Sequence, residues 1–361
     1  MFPTAYQEIL AQVEGIDPIA YGKSRNYKTG AVSRLSPYIS RGVISTRMVF
    51  ESVIRRGYPL HRVEQFVKEL CWRDYFQRIG QSHTAELLDD AGRPQENIIH
   101  REMPSAILHA QTGIEAVDAG IRALYETGYM HNHMRMYVAS MATNIARAHW
   151  QVPAQWMYYH LLDADFASNT CSWQWVCGVR SHKRYYANQE NINTYFDSTQ
   201  RGTFLDTSYE VLEQMPLPEI LRTQEPFAAS TQLPITPEPR IESGRPVFLY
   251  NAYNLDPAWH AGETGSRILL LEPSHFQRWP MSPKTLQFFL DLSKNIPELQ
   301  IYTAAFTDLQ NQVDGSPVVF KEHPLFRHYQ GRVESRDWIV PQVDGYYPSF
   351  FQYWKKISRL F

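Results

Sequence analysis

The sequence predicts an α+β protein, an all-α domain followed by a small α/β C-terminal domain. Three observations carry this. Helix signals follow one another through the first ~220 residues with almost no strand-type alternation. Residues 216–245 are rich in Pro, Thr, Ser and Glu and read as a linker. Past them, short β-type runs alternate with a helical segment, the pattern of a parallel sheet. The expected domains are therefore 1–215 and 246–361, joined by 216–245.

Taken in order, residues 1–20 read as a short helix with Ile9, Leu10 and Val13 on one side, interrupted by Pro18. Ser36 is placed to cap a helix with Pro37 at its first position, ending near Gly42. Ser45 caps the next, which stops at Gly57. Residues 63–79 are helical, with Phe66, Val67, Leu70 and Cys71 on the core stripe. Glu69, Trp72, Arg73 and Phe76 share a second stripe that suits a cavity wall better than a core. Thr112 and Glu115 spell a capping box for a helix ending at Gly128. A helix over 130–149 carries Asn132, Arg135, Met136 and Ala139 on one side. The β-type runs are 246–251, 267–273, 299–306 and 317–322, with a helix at 282–295 between the second and third. The tail, 346–361, is an amphipathic helix expected to close the sheet or pack on the helical domain.

The composition, 43% hydrophobic and 20% charged, is globular. Net charge is -2, yet between Tyr21 and Arg62 nine Lys/Arg stand against the single acid Glu51. Such a block suits a polyanionic cofactor or nucleic acid, or else it forms solvated helix faces. Three cysteines make neither a disulfide framework nor a zinc or iron–sulfur ligand set, and a reducing, cytoplasmic compartment is the simplest expectation. The first fifteen residues have neither the basic nor the apolar region of a signal peptide, and no apolar run is long enough to span a bilayer, so neither a signal peptide nor a membrane partner is expected.

The stretch Leu162–Gly178 places Asp163, Asp165, Asn169, Trp173 and Trp175 close together. It reads either as a capped turn leading into two core tryptophans or as the wall of a polar pocket, where carboxylates bind ring N–H groups and indoles stack.

With these residues in view, the sequence resembles the photolyase/cryptochrome family. The resemblance covers most of 20–210 and rests on four blocks in order: Tyr21 with SRLSPYIS (33–40), ELCWRDYF (69–76), 112–140 and LDADFASNTCSWQW (162–175). It implies the family's helical FAD-binding domain. Ser33, Arg34, Leu35 and Ser36 then match the diphosphate segment, and Tyr21 and Arg73 match further FAD contacts. Asp163 and Asp165 match acids along the flavin's polar edge. Arg135 is expected to pair with Asp163, and Asn169 falls at the position facing flavin N5. The pocket of pyrimidine-dimer photolyases implies Glu69 and Asn132 as bonds to the dimer, with Trp72, Trp175 and Met136 packing on it. Trp173 and Trp150 match the inner and middle electron-transfer tryptophans.

The implied activity is light-driven electron transfer from reduced FAD to cyclobutane pyrimidine dimers in DNA. The alternative is a cryptochrome-like blue-light receptor or redox flavoprotein without repair.

Four departures bear on this. The family's N-terminal antenna domain has no counterpart before residue 20. The C-terminal α/β segment, loosely similar to it, is expected either to bind an antenna chromophore or to restore a packing surface. No tryptophan lies between Arg73 and His149, where the outer electron-transfer residue is expected; Trp156 offers another exit. After Trp175 the family's DNA-contacting phenylalanine–arginine run is replaced. Ala187 stands near the arginine's place, and Arg180, His182, Lys183 and Arg184 are left as phosphate contacts. Val32 stands where a hydroxyl residue is common.

Overall fold

The computed structural model describes residues 2–84, 86–88, 90, 93–181, 183–313 and 315–361. It is α+β as expected, 45% helical and 8% strand, with one parallel sheet.

Helix α1 (Tyr6–Glu14) buries Ile9 and Val13. Pro18 does more than interrupt it, being the first residue of α2 (Pro18–Ser24), where its missing N–H would have no intrahelical partner. Ser36 is not a cap: it is the first residue of α3 (Ser36–Ser40), and Leu35 holds the cap position without a side-chain bond. The chain turns one residue earlier because Arg34 is left-handed, at φ 53°. Gly42 follows α3 at φ 65°, and a Cβ there would stand 2.2 Å from the Tyr253 carbonyl oxygen. No other residue fits that approach. In α4 (Thr46–Arg55) the Ser45 hydroxyl accepts from the Met48 N–H at 3.0 Å, as expected. Helix α5 (Leu60–Ser82) overruns its predicted span at both ends.

Strand β1 (Met103–Pro104) and α6 (Ser105–Leu108) precede α7 (Glu115–Thr127). The capping box at Thr112 and Glu115 does not form. The Thr112 hydroxyl instead donates to Asp118 at 2.7 Å, and Asp118 also accepts the Thr112 N–H at 2.8 Å. An aspartate one turn inside the helix outcompetes the glutamate because it reaches two donors at once. Gly128 ends the helix at φ 70°, as expected.

The single helix predicted over 130–149 is shorter. Helix α8 (Asn132–Ser140) widens into a π turn over Met141–Ile145, and Arg147, left-handed at φ 59°, redirects the chain. The π turn presents Asn144, whose amide donates to Tyr185 O at 2.7 Å and Val176 O at 3.1 Å. Those bonds tie the end of α10 to the segment that follows it and account for the widened turn. Helices α9 (Gln151–His160), α10 (Phe166–Val176), α11 (Gln189–Phe196) and α12 (Tyr209–Gln214) follow. Within 216–245, β2 (Gln224–Glu225) pairs antiparallel with β1.

The predicted β runs become β3 (Val247–Tyr250), β4 (Ser266–Leu270), β5 (Gln300–Tyr302) and β6 (Val318–Lys321); a fifth strand, β7 (Arg332–Glu334), was not expected. Helices α13 (Pro273–Arg278), α14 (Pro283–Ser293), α15 (Phe306–Gln310) and α16 (Phe350–Ile357) complete the chain. The sheet order is β5-β4-β3-β6-β7, with every neighbour parallel. Strands β3 and β4 are wholly buried, as strands covered on both faces must be.

The elements gather into two compact units that do not follow chain order. The first takes residues 1–18, 33–82 and 230–361, so α1, α3, α4 and α5 pack with the sheet. Asn295 fixes the N-terminal segment there, accepting the Tyr6 N–H at 2.9 Å and donating to Thr4 O at 2.7 Å. Buried Asp74 accepts from the Thr46 hydroxyl at 2.6 Å and the Ile339 N–H at 2.9 Å. The tail helix α16 packs on α5, burying Phe350, Tyr353 and Ile357. The second unit takes 19–32 and 83–229. Its core includes Trp156, Trp173, Tyr137, Tyr158 and Phe166.

All three cysteines are free and buried; burial pushes the Cys171 and Cys177 thiols up to about 12, so they stay protonated and unreactive. No group of metal-ligating side chains occurs among the described residues, and no described helix is long and apolar enough to cross a membrane.

Candidate functional site

The expected site residues are distributed over both units. In the second unit, α8 turns Met134, Tyr137 and Val138 into the core and leaves Asn132 exposed and Arg135 and Met136 half-buried. The polar stripe seen in the sequence is thus this helix's open face. Arg135 reaches from it to Asp163 at 3.0 Å, while its Nε donates to Met130 O at 2.8 Å. Asp163 is buried, and the expected ion pair forms where a carboxylate requires one. Asp165, also buried, caps α10 by accepting the Ser168 N–H at 2.7 Å.

On α10, Asn169 donates to Ala154 O of α9 at 3.0 Å. Trp173 is in the core, whereas Trp175 is 39% exposed and tilted against Tyr185 at 5.8 Å. One indole is inside and one at the surface, so the reading with two core tryptophans holds for Trp173 and not for Trp175. Tyr21 lies half-buried on α2. After Trp175, Arg180 bonds back to Gln174 at 3.3 Å and Ser181 to Trp175 O at 2.8 Å. Lys183 is exposed and Arg184 half-buried; His182 lies outside the described residues.

Trp150 stands just before α9 among groups that sequence reading missed. Its indole N–H donates to Asp90 Oδ1 at 2.7 Å, and His149 Nε2 meets the same oxygen at 3.0 Å. Gln95 accepts the Trp150 backbone N–H at 2.9 Å. Asp90 and Gln95 sit in polar, aperiodic sequence, which carries no signal for such a role.

In the first unit, Arg34 is exposed and Leu35 buried, with Ser33 and Ser36 half-buried. Left-handed Arg34 followed by right-handed Leu35 (φ -88°) turns successive N–H groups to one side, the concave arrangement that binds anions. On α5, Glu69 accepts from Gln65 at 2.9 Å and Arg73 donates to the Ser40 hydroxyl. Trp72 has one face covered: the Phe350 ring stacks on it at 3.8 Å and 10°.

Of the nine basic residues between Tyr21 and Arg62, several are engaged structurally. Arg41 is fully buried, Arg47 pairs with Glu51 and Arg55 with Glu14, and Arg56 donates to Glu14 O and Ile16 O. The block is therefore not a continuous free basic stripe.

The first unit also holds a cavity of about 60 Å³ where the sheet order reverses, lined among others by Ser45, Arg73, Asn251, Asn254 and His323. It is well below the ~300 Å³ that a ring-bearing ligand needs.

Residues 66–238 match the family described as the FAD binding domain of DNA photolyase. This chain carries a photolyase/cryptochrome FAD-binding domain. The chain is 29% identical over 223 residues to a deoxyribodipyrimidine photo-lyase of Alkalihalophilus pseudofirmus, covering 60% of this chain and 45% of that one. It is 34% identical over 175 residues to a cryptochrome DASH of Gloeobacter violaceus, covering 46% and 35%. Among solved structures it is similar to a Synechocystis sp. cryptochrome, with a TM-score of 0.50, 27% identity, and 54% and 44% of the two chains covered. The chain thus spans between about a third and a half of the curated relatives it matches.

FAD is the cofactor of this photolyase-type domain. The residues present fit it on two counts. The turn at Arg34–Leu35 offers backbone N–H groups and an arginine to an anion, and the second unit holds two buried carboxylates, one already neutralised by Arg135.

Proposed function

We propose that this chain is a light-driven electron-transfer flavoprotein acting on pyrimidine dimers in DNA. When bound and reduced, FAD supplies an electron donor excited by blue light. In this reading Asp163 and Asp165 orient the flavin's polar edge and Arg135 holds Asp163 in place through their ion pair. Asn169, held by its bond to Ala154 O, sets the proton balance beside the ring. Tyr21, Ser33, Arg34, Leu35, Ser36 and Arg73 are the remaining cofactor contacts. Asn132, Met136 and Trp175 meet the lesion, with Glu69 as the acid that shares a proton with it. Trp173 and Trp150 deliver electrons that reduce the cofactor.

The observation that carries the reading is the Arg135–Asp163 pair at 3.0 Å, which joins a buried carboxylate to the open face of α8 that also bears Asn132 and Met136. A stacked guest offsets the cost of leaving the duplex by ~1–3 kcal/mol per base. The test is illumination of chemically reduced protein with single-stranded DNA containing cyclobutane dimers. Restoration of the bases is expected, and its failure with fully reduced FAD removes the repair reading.

One observation favours the receptor reading instead. Trp72, which should stack on the lesion, already stacks on Phe350. A protein that binds FAD and is photoreduced yet repairs nothing belongs to that second reading.

A further inference from the structure

We propose that Asp90 is the proton acceptor that ends the electron-transfer chain at Trp150. This rests on the proposed photoreduction through Trp173. The Asn169–Ala154 bond sets the register of the antiparallel pair α9–α10. Trp150 stands four residues before Ala154, at the start of α9, and Trp173 four residues after Asn169 on α10. With no tryptophan between Arg73 and His149, a hole reaching Trp150 has no further indole of the usual kind to enter.

The surroundings of Trp150 supply another way to hold the hole there. An indole radical cation is a far stronger acid than indole, and its acidic proton is on Nε1. That nitrogen lies 2.7 Å from Asp90 Oδ1, within the range for direct proton transfer. The carboxylate is fixed by His149 Nε2 at 3.0 Å on the same oxygen and by the Gln95 N–H at 3.1 Å on the other. Trp150 is 3% exposed, which limits the access of water to its N–H.

The alternative exit, Trp156, lacks such an acceptor. Its N–H meets the Tyr125 hydroxyl at 2.9 Å, and a neutral phenol is a poor base.

The step balances. Trp173, having given one electron to the light-excited oxidised flavin, takes one electron from Trp150. The Trp150 N–H bond breaks, the proton forms an O–H bond on Asp90, and a neutral indole radical remains. Return of the electron then requires return of the proton, which slows recombination.

The test has two readouts on the full chain. Ultraviolet resonance Raman of the apoprotein, taken as the difference between wild type and Trp150→Phe, reports the strength of the hydrogen bond donated by the Trp150 indole N–H. Asp90→Asn is expected to weaken it and Asp90→Glu to keep it. Flash photolysis of the FAD-loaded protein is expected to show a neutral tryptophan radical in wild type, formed more slowly in D2O. In Asp90→Asn the radical is expected to stay a cation and recombine at least about tenfold faster, with Asp90→Glu restoring the neutral form. An unchanged Raman band in Asp90→Asn, or a neutral radical of unchanged lifetime there, overturns the assignment while leaving photoreduction intact. Absence of any tryptophan radical in wild type, or photoreduction undiminished in Trp173→Phe, overturns the chain reading and this assignment with it.

Discussion

Asp163 is a carboxylate with almost no water, and Arg135 at 3.0 Å is its cation. Removing one partner of a buried pair leaves a charge without compensation. Arg135→Ala should therefore lower stability by about 3 kcal/mol, read as the urea midpoint, and release FAD during gel filtration. Arg135→Lys should recover part of both, because it restores charge without the guanidinium's second donor to Met130 O.

The two acids beside two indoles only marked the stretch as unusual; this pair was legible through the resemblance, which matches Arg135 and Asp163 to paired residues of the photolyase/cryptochrome family. Asp90 was not, because a lone aspartate in an aperiodic run looks like any surface acid. His275 shows the same blindness. It is buried beside Arg41 and His328, and burial first, then those two charges, lowers its pKa from 6.5 to about 3. The unfolded chain takes up the proton first, so the stability from a neutral His275 is complete above about pH 6.5 and is lost as the pH falls towards 3. At pH 5 the loss should reach on the order of 2 kcal/mol. Urea midpoints at pH 7.5 and pH 5 should separate clearly in wild type and converge in His275→Gln.

At the scale of elements, helices with plain amphipathic spacing fell where their apolar stripes put them, and Ser45, Gly57 and Gly128 ended them as their chemistry requires. The misreadings have tertiary causes. The helix after Met130 gives way because Asn144 serves two carbonyls far along the chain, which no local pattern encodes. Strand β7 was missed because its residues are largely exposed at the sheet edge. Helix α16 was expected, but not its place against Trp72, since α5 meets this part of the chain only across a long separation, Tyr75 bonding Tyr347 O 272 residues away. There Tyr75 stacks on Tyr353 while Phe350 stacks on Trp72. Phe350→Ala should cost about 3 kcal/mol, and it should raise acrylamide quenching of the Trp72 emission, measured against Trp72→Phe. If a planar base competes for the same face, that variant should also bind dimer-containing oligonucleotide more tightly, because no stacked ring need be displaced.

At the scale of the molecule, a parallel sheet followed from the alternation of β-type runs with a helix, whereas neither its strand order nor the grouping of the helices was legible. Helix α1 and helices α3 to α5 belong with a sheet that begins beyond residue 240. Amphipathic spacing says that a face is buried but not against what. Asn295 is where that choice is fixed, through its bonds to Thr4 and Tyr6. Asn295→Ala should cost about 2 kcal/mol, with amide exchange rising at Tyr6 before the rest of the first unit.

The same clasp bears on how the protein is made. A chain growing from its N-terminus has α1 and its neighbour α4 outside the ribosome long before Asn295 exists, so the backbone groups of Thr4 and Tyr6 wait for that side chain while nearly three hundred residues are added. Such late-closing contacts make folding slow and leave oily surface open to capture by other chains, so this unit should depend on chaperones during synthesis more than the second, whose stretch from 83 to 229 is complete much earlier.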